Sequence, residues 1–438
     1  MCHQVRSAGY AAYVAPIDPQ DTASDRPGHL PVGFIVGVAA CSLAALAALA
    51  AVAARGALPA GIGLTLALLP IPALLAGVLY LDRLEPEPPS ALVFVFLWGA
   101  GMAALIGLIS SAAGTQLITT PALRSDGFAA ASATSIIGVA ALEETLMGVA
   151  LVGLLLQRPQ EVDGVSDGVV YGSMVGLGFA LIENIYYYTQ ASRYGFSGVA
   201  TTFVLRGVIS PVCQSLFASL IGAGVAYAVT TSRRRGLWAI GAGWLAAVAL
   251  HALWNDSLTS GVGRLALTYA ILAVIVVILL IAVILDRRRI AALIVRYLPE
   301  YGPTGLVAEP DIAMLSSLPD RRQARQWARL HAGLPGLREM TEYQLAATEL
   351  GLLHRRSERG LVDAQSFAQR RDGLLTGMRA SRSAFLSRLN DPPHPPWAPS
   401  GPSCFRPQPG PALRAPRPDP AASPDRPAIT PESGLAEP

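Results

Sequence analysis

The chain has 438 residues, 52% of them hydrophobic and only 14% charged, with a mean hydropathy of +0.44. A soluble globule carries about a quarter charged residues, so these proportions describe a membrane protein. The formal net charge of +3 is too small to argue for a nucleic-acid partner. All 33 basic residues are arginine, and with abundant Ala, Gly and Pro this is the composition of a GC-rich bacterial genome. Cys2, Cys41, Cys213 and Cys404 show no metal or disulfide spacing. Cys41 and Cys213 fall in apolar runs and read as small core residues.

In chain order, residues 1–31 are polar, contain Asp18, Asp21 and Asp25, and lack the pattern of a secretory signal. They are expected to form a disordered cytoplasmic tail. Eight apolar segments follow, near 32–53, 59–80, 91–113, 131–156, 167–189, 200–229, 237–255 and 266–285. Each approaches the roughly 20 residues that a transmembrane helix needs. The arginine clusters "SRRRG" (232–236) and "DRRRI" (286–290) are cytoplasmic if segments seven and eight form a hairpin. Counting back puts the N-terminus inside too, with Arg55 and Arg124 on outer loops. The fold expected is an all-α polytopic bundle of about eight helices, a transmembrane domain over 32–290 in a bacterial plasma membrane. Residues 291–390 are expected to form a cytoplasmic helical region, with a hairpin marked by Leu337, Met340, Leu345, Leu350 and Leu353. Residues 391–438 are dense in proline and poor in large apolar residues, the signature of disorder.

Inside the apolar segments the costly groups are few: Glu143, Glu144, Glu183, His251, and with them Asn184, Arg206, Gln214 and Asn255. They occupy four consecutive segments, and in hydrocarbon such groups must face one another or a wet cavity. Phe179 and Glu183 are four residues apart, as are His251 and Asn255, so each pair shares a helix face. Gly172, Gly176 and Gly178, N-terminal to Glu183, invite close approach of a neighbouring helix. Taken singly, each residue has an ordinary reading. An intramembrane Glu can be a structural hydrogen-bond partner, His251 interfacial, Asn255 a helix C-cap, Arg206 a snorkelling cation, and Tyr186, Tyr187 and Tyr188 an interfacial belt. The coincidence of three carboxylates with the sole histidine of the apolar segments points instead to a site. Clustered carboxylates cannot all ionise in a low dielectric. A glutamate so placed can serve as general base toward water, with His251 polarising a carbonyl and Asn255 donating to an oxyanion. Glu144, Glu183 and His251 also suit Zn²⁺ with one position left for water, and a metal-free glutamate route is open beside it. Both lead to hydrolysis of an amide inside the membrane. An acidic relay for proton or cation transport is the rival use, although no repeated halves of the transporter kind are visible.

The same residues carry a resemblance. Glu143-Glu144, then "DGVVYGSMVGLGFALIENIYY" (167–187), "LRGVISPVCQSLF" (205–217) and "HALWN" (251–255) resemble the PrsW-type intramembrane protease family. "LDRLEPEP" (81–88) matches a further family feature, and the likeness covers roughly 33–285. The family is related to the CAAX-type membrane proteases, whose last motif His251 and Asn255 match. The resemblance implies an integral membrane endopeptidase that clips membrane-anchored proteins such as anti-sigma factors. It implies that Glu143 or Glu144 activates water, with the CAAX-type relatives favouring Glu143. Glu183 and His251 would complete the site as metal ligands or transition-state partners. Two residues depart from the pattern: Met147 stands where lysine is expected, and Gln214 where many members carry histidine. A non-catalytic relative that binds transmembrane segments is the alternative these departures raise.

Overall fold

The computed structural model describes residues 32–82, 86–110, 128–157, 162, 164–207, 209–231, 233–258 and 260–388. The two expected tails, 1–31 and 391–438, and Arg124 lie outside the described residues. The described chain is all-helical: α1 (Val32–Ala53), α2 (Ala57–Leu68), α3 (Ile71–Leu81), α4 (Pro89–Ser110), α5 (Phe128–Gln157), α6 (Val165–Ala191), α7 (Gly195–Arg206), α8 (Ile209–Val229), α9 (Arg233–Ser257), α10 (Val262–Tyr297), α11 (Glu309–Leu315), α12 (Leu318–Glu358) and α13 (Ala364–Ser387). Among the described residues, seven helical stretches are long and apolar enough to cross a membrane. The one over Val165–Val229 holds two passes, because Gly168, Gly172 and Gly176 of α6 abut Gly222, Ala218 and Gln214 of α8 in antiparallel order.

Two expected segments are broken. The second divides at Leu69-Pro70 into α2 and α3, where proline opens the new helix. The sixth divides at Gly207, so Arg206 ends α7 rather than opening a helix. The eighth overruns its apolar length. As α10 it continues unbroken past residue 290, so the boundary expected between the membrane and cytoplasmic regions falls inside one helix.

The centre of the bundle is α6, buried over most of its length. Its glycines make this possible: a Cβ on Gly172 would stand 2.5 Å from Ala218 O, and one on Gly178 would run into Phe96 O of α4. Hydroxyls stitch the α6–α8 seam where the backbones are closest. Ser173 Oγ lies 3.0 Å from Ser219 Oγ, and Ser219 Oγ also donates to Val169 O at 3.0 Å. On the opposite face α4 widens into a π-turn at Gly99–Ala103, whose glycines face both ways, Gly99 against Val175 of α6 and Gly101 against Cys41 of α1. Such π-turns are frequent at functional sites. Cys41 and Cys213 are buried, as their apolar runs suggest.

The arginine-rich end is fastened by polar contacts. Asp167 accepts from Gly164 N at 2.8 Å and caps α6. Ser166 N and Oγ both donate to Asp286 of α10, at 3.1 and 2.8 Å. Tyr171 Oη donates to Glu87 at 2.6 Å, Glu87 N donates to Asp82 at 2.9 Å, and Arg287 donates to Leu81 O. The "DG…YG" and "LDRLEPEP" stretches are therefore structural clasps at one end of the bundle.

Beyond the membrane passes, α10 continues into a second core with α12 and α13, where Ile294, Leu298, Trp327, Met340, Leu350 and Met378 are buried. The expected hairpin is this α12–α13 pair. His354 stacks on Tyr297 at 5.1 Å and shares a 2.6 Å hydrogen bond with Tyr301 Oη. Burial holds its imidazole below the usual 6.5, with Arg371 acting in the same sense. The folded region thus prefers neutral His354, so its contribution is complete above pH 6.5 and falls as pH drops below that value. Limited proteolysis of the 291–390 region is expected to accelerate below about pH 6.5 in wild type and to lose that dependence in His354→Phe. In the bundle, Gly172→Leu is expected to destabilise the detergent-solubilised protein by about 1–3 kcal/mol through overpacking, read as a lower thermal midpoint. An unchanged midpoint would contradict the close α6–α8 contact.

Candidate active site

Glu143 and Glu144 sit mid-way along α5, which is held from two sides. Trp98 of α4 donates its indole N–H to Leu146 O at 2.8 Å, and Trp244 of α9 donates to Thr145 Oγ1 at 3.0 Å. These bonds set the rotation of α5 so that both glutamates turn inward, Glu143 6% and Glu144 0% exposed. Met147, one turn on, is fully buried in the apolar core.

His251 of α9 is fully buried and stacked on Phe217 of α8, with ring centroids 5.2 Å apart. Its Nδ1 is 2.8 Å from Glu144 Oε1, and its Nε2 is 3.5 Å from Glu143 Oε2. Adjacent carboxylates therefore face the two nitrogens of one imidazole. Gln214 of α8 is the third neighbour. Its Nε2 donates to Glu183 Oε2 at 2.9 Å and lies 3.4 Å from His251 Nε2. The Gln214 amide nitrogen thus bridges Glu183 and the imidazole.

Glu183 of α6 closes the group through its other oxygen, which pairs with Arg206 Nη1 at 3.3 Å. Arg206 is 4% exposed and its guanidinium lies over the Tyr187 ring, 3.5 Å from the centroid. The snorkelling reading of Arg206 is thus corrected: Gly207 ends α7 and leaves the side chain turned inward onto Glu183. The belt reading of the tyrosines is corrected in part, since Tyr188 is buried in the core and Tyr187 is the platform for Arg206. Arg55 lies over Tyr186, 4.8 Å from the ring centroid, at the same end of α6.

Of the expected site residues, the structure brings together Glu143, Glu144, Glu183 and His251. Asn255, one turn beyond His251, is half-buried and makes no hydrogen bond among the described residues. Gly107 was absent from the sequence reading, although a Cβ there would stand 3.0 Å from Glu143 Oε1. No periodicity or polar signal marks a glycine of this kind. Glu144 Oε2, Gln214 Oε1 and the Asn184 side-chain oxygen are buried acceptors with no hydrogen-bond partner among the described residues.

The cluster is not centred along the helices. Glu183 is eight residues from the end of α6, about 12 Å at 1.5 Å per residue. His251 is six residues from the end of α9, about 9 Å. The arginine-rich ends of the same helices are each 18 residues away, about 27 Å. The site lies in the third of the bundle farthest from the arginine clusters.

Comparison with known proteins identifies the family. The family model described as PrsW family intramembrane metalloprotease matches residues 87–284, which span α4 to α10. A curated relative, Protease PrsW of Geobacillus kaustophilus (strain HTA426), is 31% identical over 169 residues, covering 38% of this chain and 68% of the relative. No solved structure matches. By these matches the chain belongs to the PrsW family of intramembrane proteases.

Proposed function

We propose that this protease hydrolyses a peptide bond of a membrane-anchored protein using water activated by Glu143. The observation that carries this reading is the fully buried His251 held between two adjacent glutamates. Glu144 fixes the ring through Nδ1, as a carboxylate does for a catalytic imidazole. Nε2 and Glu143 Oε2, 3.5 Å apart, are close enough for one water to hydrogen-bond both. Glu143 removes a proton from that water as its oxygen bonds to the scissile carbonyl carbon. When the C–N bond breaks, the same proton passes from Glu143 to the leaving amine. The Asn255 amide, one turn from His251, is the donor available to the oxyanion in this reading. Arg206, through Glu183, supplies the positive charge that Met147 does not. In this reading the arginine-rich end is cytoplasmic, both termini lie inside, and the membrane is the bacterial plasma membrane. Residues 32–290 form the proteolytic domain and 291–390 the cytoplasmic region. An anti-sigma-factor-like protein is the substrate class the family resemblance favours.

The family description names a metalloprotease, and the donor set tests that for this chain. Among the described residues no three His, Cys, Asp or Glu side chains converge as a cation site. Both Glu183 oxygens are taken, by Arg206 and Gln214, and His251 Nε2 faces a Gln214 N–H. Zinc on Glu144, Glu183 and His251 would require those bonds to be given up, so the residues as arranged do not fit it, and the steps above belong to the protein's own groups.

Two experiments follow. Purified protein in detergent is given a single-span substrate, with Glu143→Gln, Glu144→Gln, Glu183→Gln and His251→Ala beside wild type. Glu143→Gln is expected to lower kcat by about 10²–10⁴ with KM little changed. Cleavage surviving all four substitutions removes the site, and wild-type binding without cleavage makes the chain a pseudoprotease. Separately, activity is expected to persist after dialysis against a chelator. Stoichiometric metal with loss of activity on chelation would return Glu183 and His251 to the role of ligands.

A further inference from the structure

The cluster does not end at Glu183. Beyond it, toward the near end of α6, a cavity of about 550 Å³ opens between the last turns of α6, the turn at Ser192–Tyr194, and α7. Tyr187, Gln190, Arg193, Ser197, Thr201 and Thr202 line it, and no carboxylate does. Arg193 is exposed and makes no ion pair among the described residues. The Gln190 side-chain oxygen is buried without a hydrogen-bond partner. Tyr194 and Phe196 at the rim are 79% and 89% exposed, the position aromatic residues take at a membrane–water boundary. The floor is Tyr187, the same ring that carries Arg206.

We infer that this cavity binds an extended, acidic segment of the substrate chain where it leaves the bilayer on the side opposite the arginine clusters. The inference rests on the protease reading for what enters the cavity. A transmembrane helix must unwind to present a peptide bond, and its freed backbone groups then need partners inside the protein. The unpartnered Gln190 oxygen and the hydroxyl oxygens of Ser197, Thr201 and Thr202 supply acceptors for its N–H groups. One guanidinium with no opposing acid favours a carboxylate on the segment. The span is suitable: about 12 Å from Glu183 to the end of α6 is covered by roughly four extended residues. The residue paired with Arg193 therefore lies about four positions from the cleaved bond.

The test uses the full chain in lipid nanodiscs and two synthetic single-span peptides. One carries an Asp-Glu-Asp segment at the far boundary, the other Lys-Lys-Lys at the same place. Binding is measured on the Glu143→Gln protein, so that turnover does not intervene, and cleavage on wild type. The acidic peptide is expected to bind about fivefold more tightly, the scale of an exposed ion pair. Arg193→Glu is expected to abolish or reverse that preference, and Ser197→Trp, which fills the cavity from an exposed position, to weaken both peptides. Equal binding of the two peptides, or a preference that survives Arg193→Glu, overturns the inference. Preferential binding without wild-type cleavage keeps the cavity and discards the protease reading, whereas cleavage without the preference does the reverse.

Discussion

Everything in this structure answers one constraint: three carboxylates, an imidazole and a guanidinium are buried among apolar helices, away from bulk water. Isolated charges there are very expensive, and breaking a buried pair is more damaging than never having it. The molecule meets the constraint by closing the groups on one another. Glu144 takes one side of His251, Glu143 the other, and Gln214 links the imidazole to Glu183, which Arg206 neutralises. Each of five helices, α5 to α9, contributes a member, so the bundle cannot separate without exposing one of them. Polar satisfaction and the proposed catalytic geometry are here the same set of contacts.

That closure requires short distances between helices, and these come from residues with almost no side chain. The glycine positions of α6 let α8 and α4 approach on opposite faces, and the α8 contact brings Gln214 within reach of Glu183 and His251. The serine hydroxyls along the seam bond backbone and one another, as small-residue membrane interfaces do. Gly107 extends the principle to the site itself, because the Glu143 carboxylate occupies space that any other residue would fill.

Much of this is legible in the sequence, and for a physical reason. A glutamate or histidine in an apolar run has few tolerable surroundings, so Glu143, Glu144, Glu183 and His251 announce their mutual proximity. The passes were legible because twenty apolar residues have one common fate. Arg206 was misread because apolar character continues across Gly207 and hides the end of α7. The hidden break decides whether the side chain points to the surface or to Glu183. The tyrosines were misread because composition alone does not separate an interfacial ring from one buried two residues away. Asp167 and Tyr171 show the opposite limit: the motif that identifies the family most sharply contains residues that only clasp the bundle's end.

The long helix α10 has one more consequence. Between Gly263 and Tyr297 it contains neither glycine nor proline, the residues at which helices usually bend. It is a strut without a joint, rooted in the second core through Ile294 and clasped to the start of α6 through Asp286. Through it the second core and the first turn of the helix that carries Glu183 are joined by one continuous element.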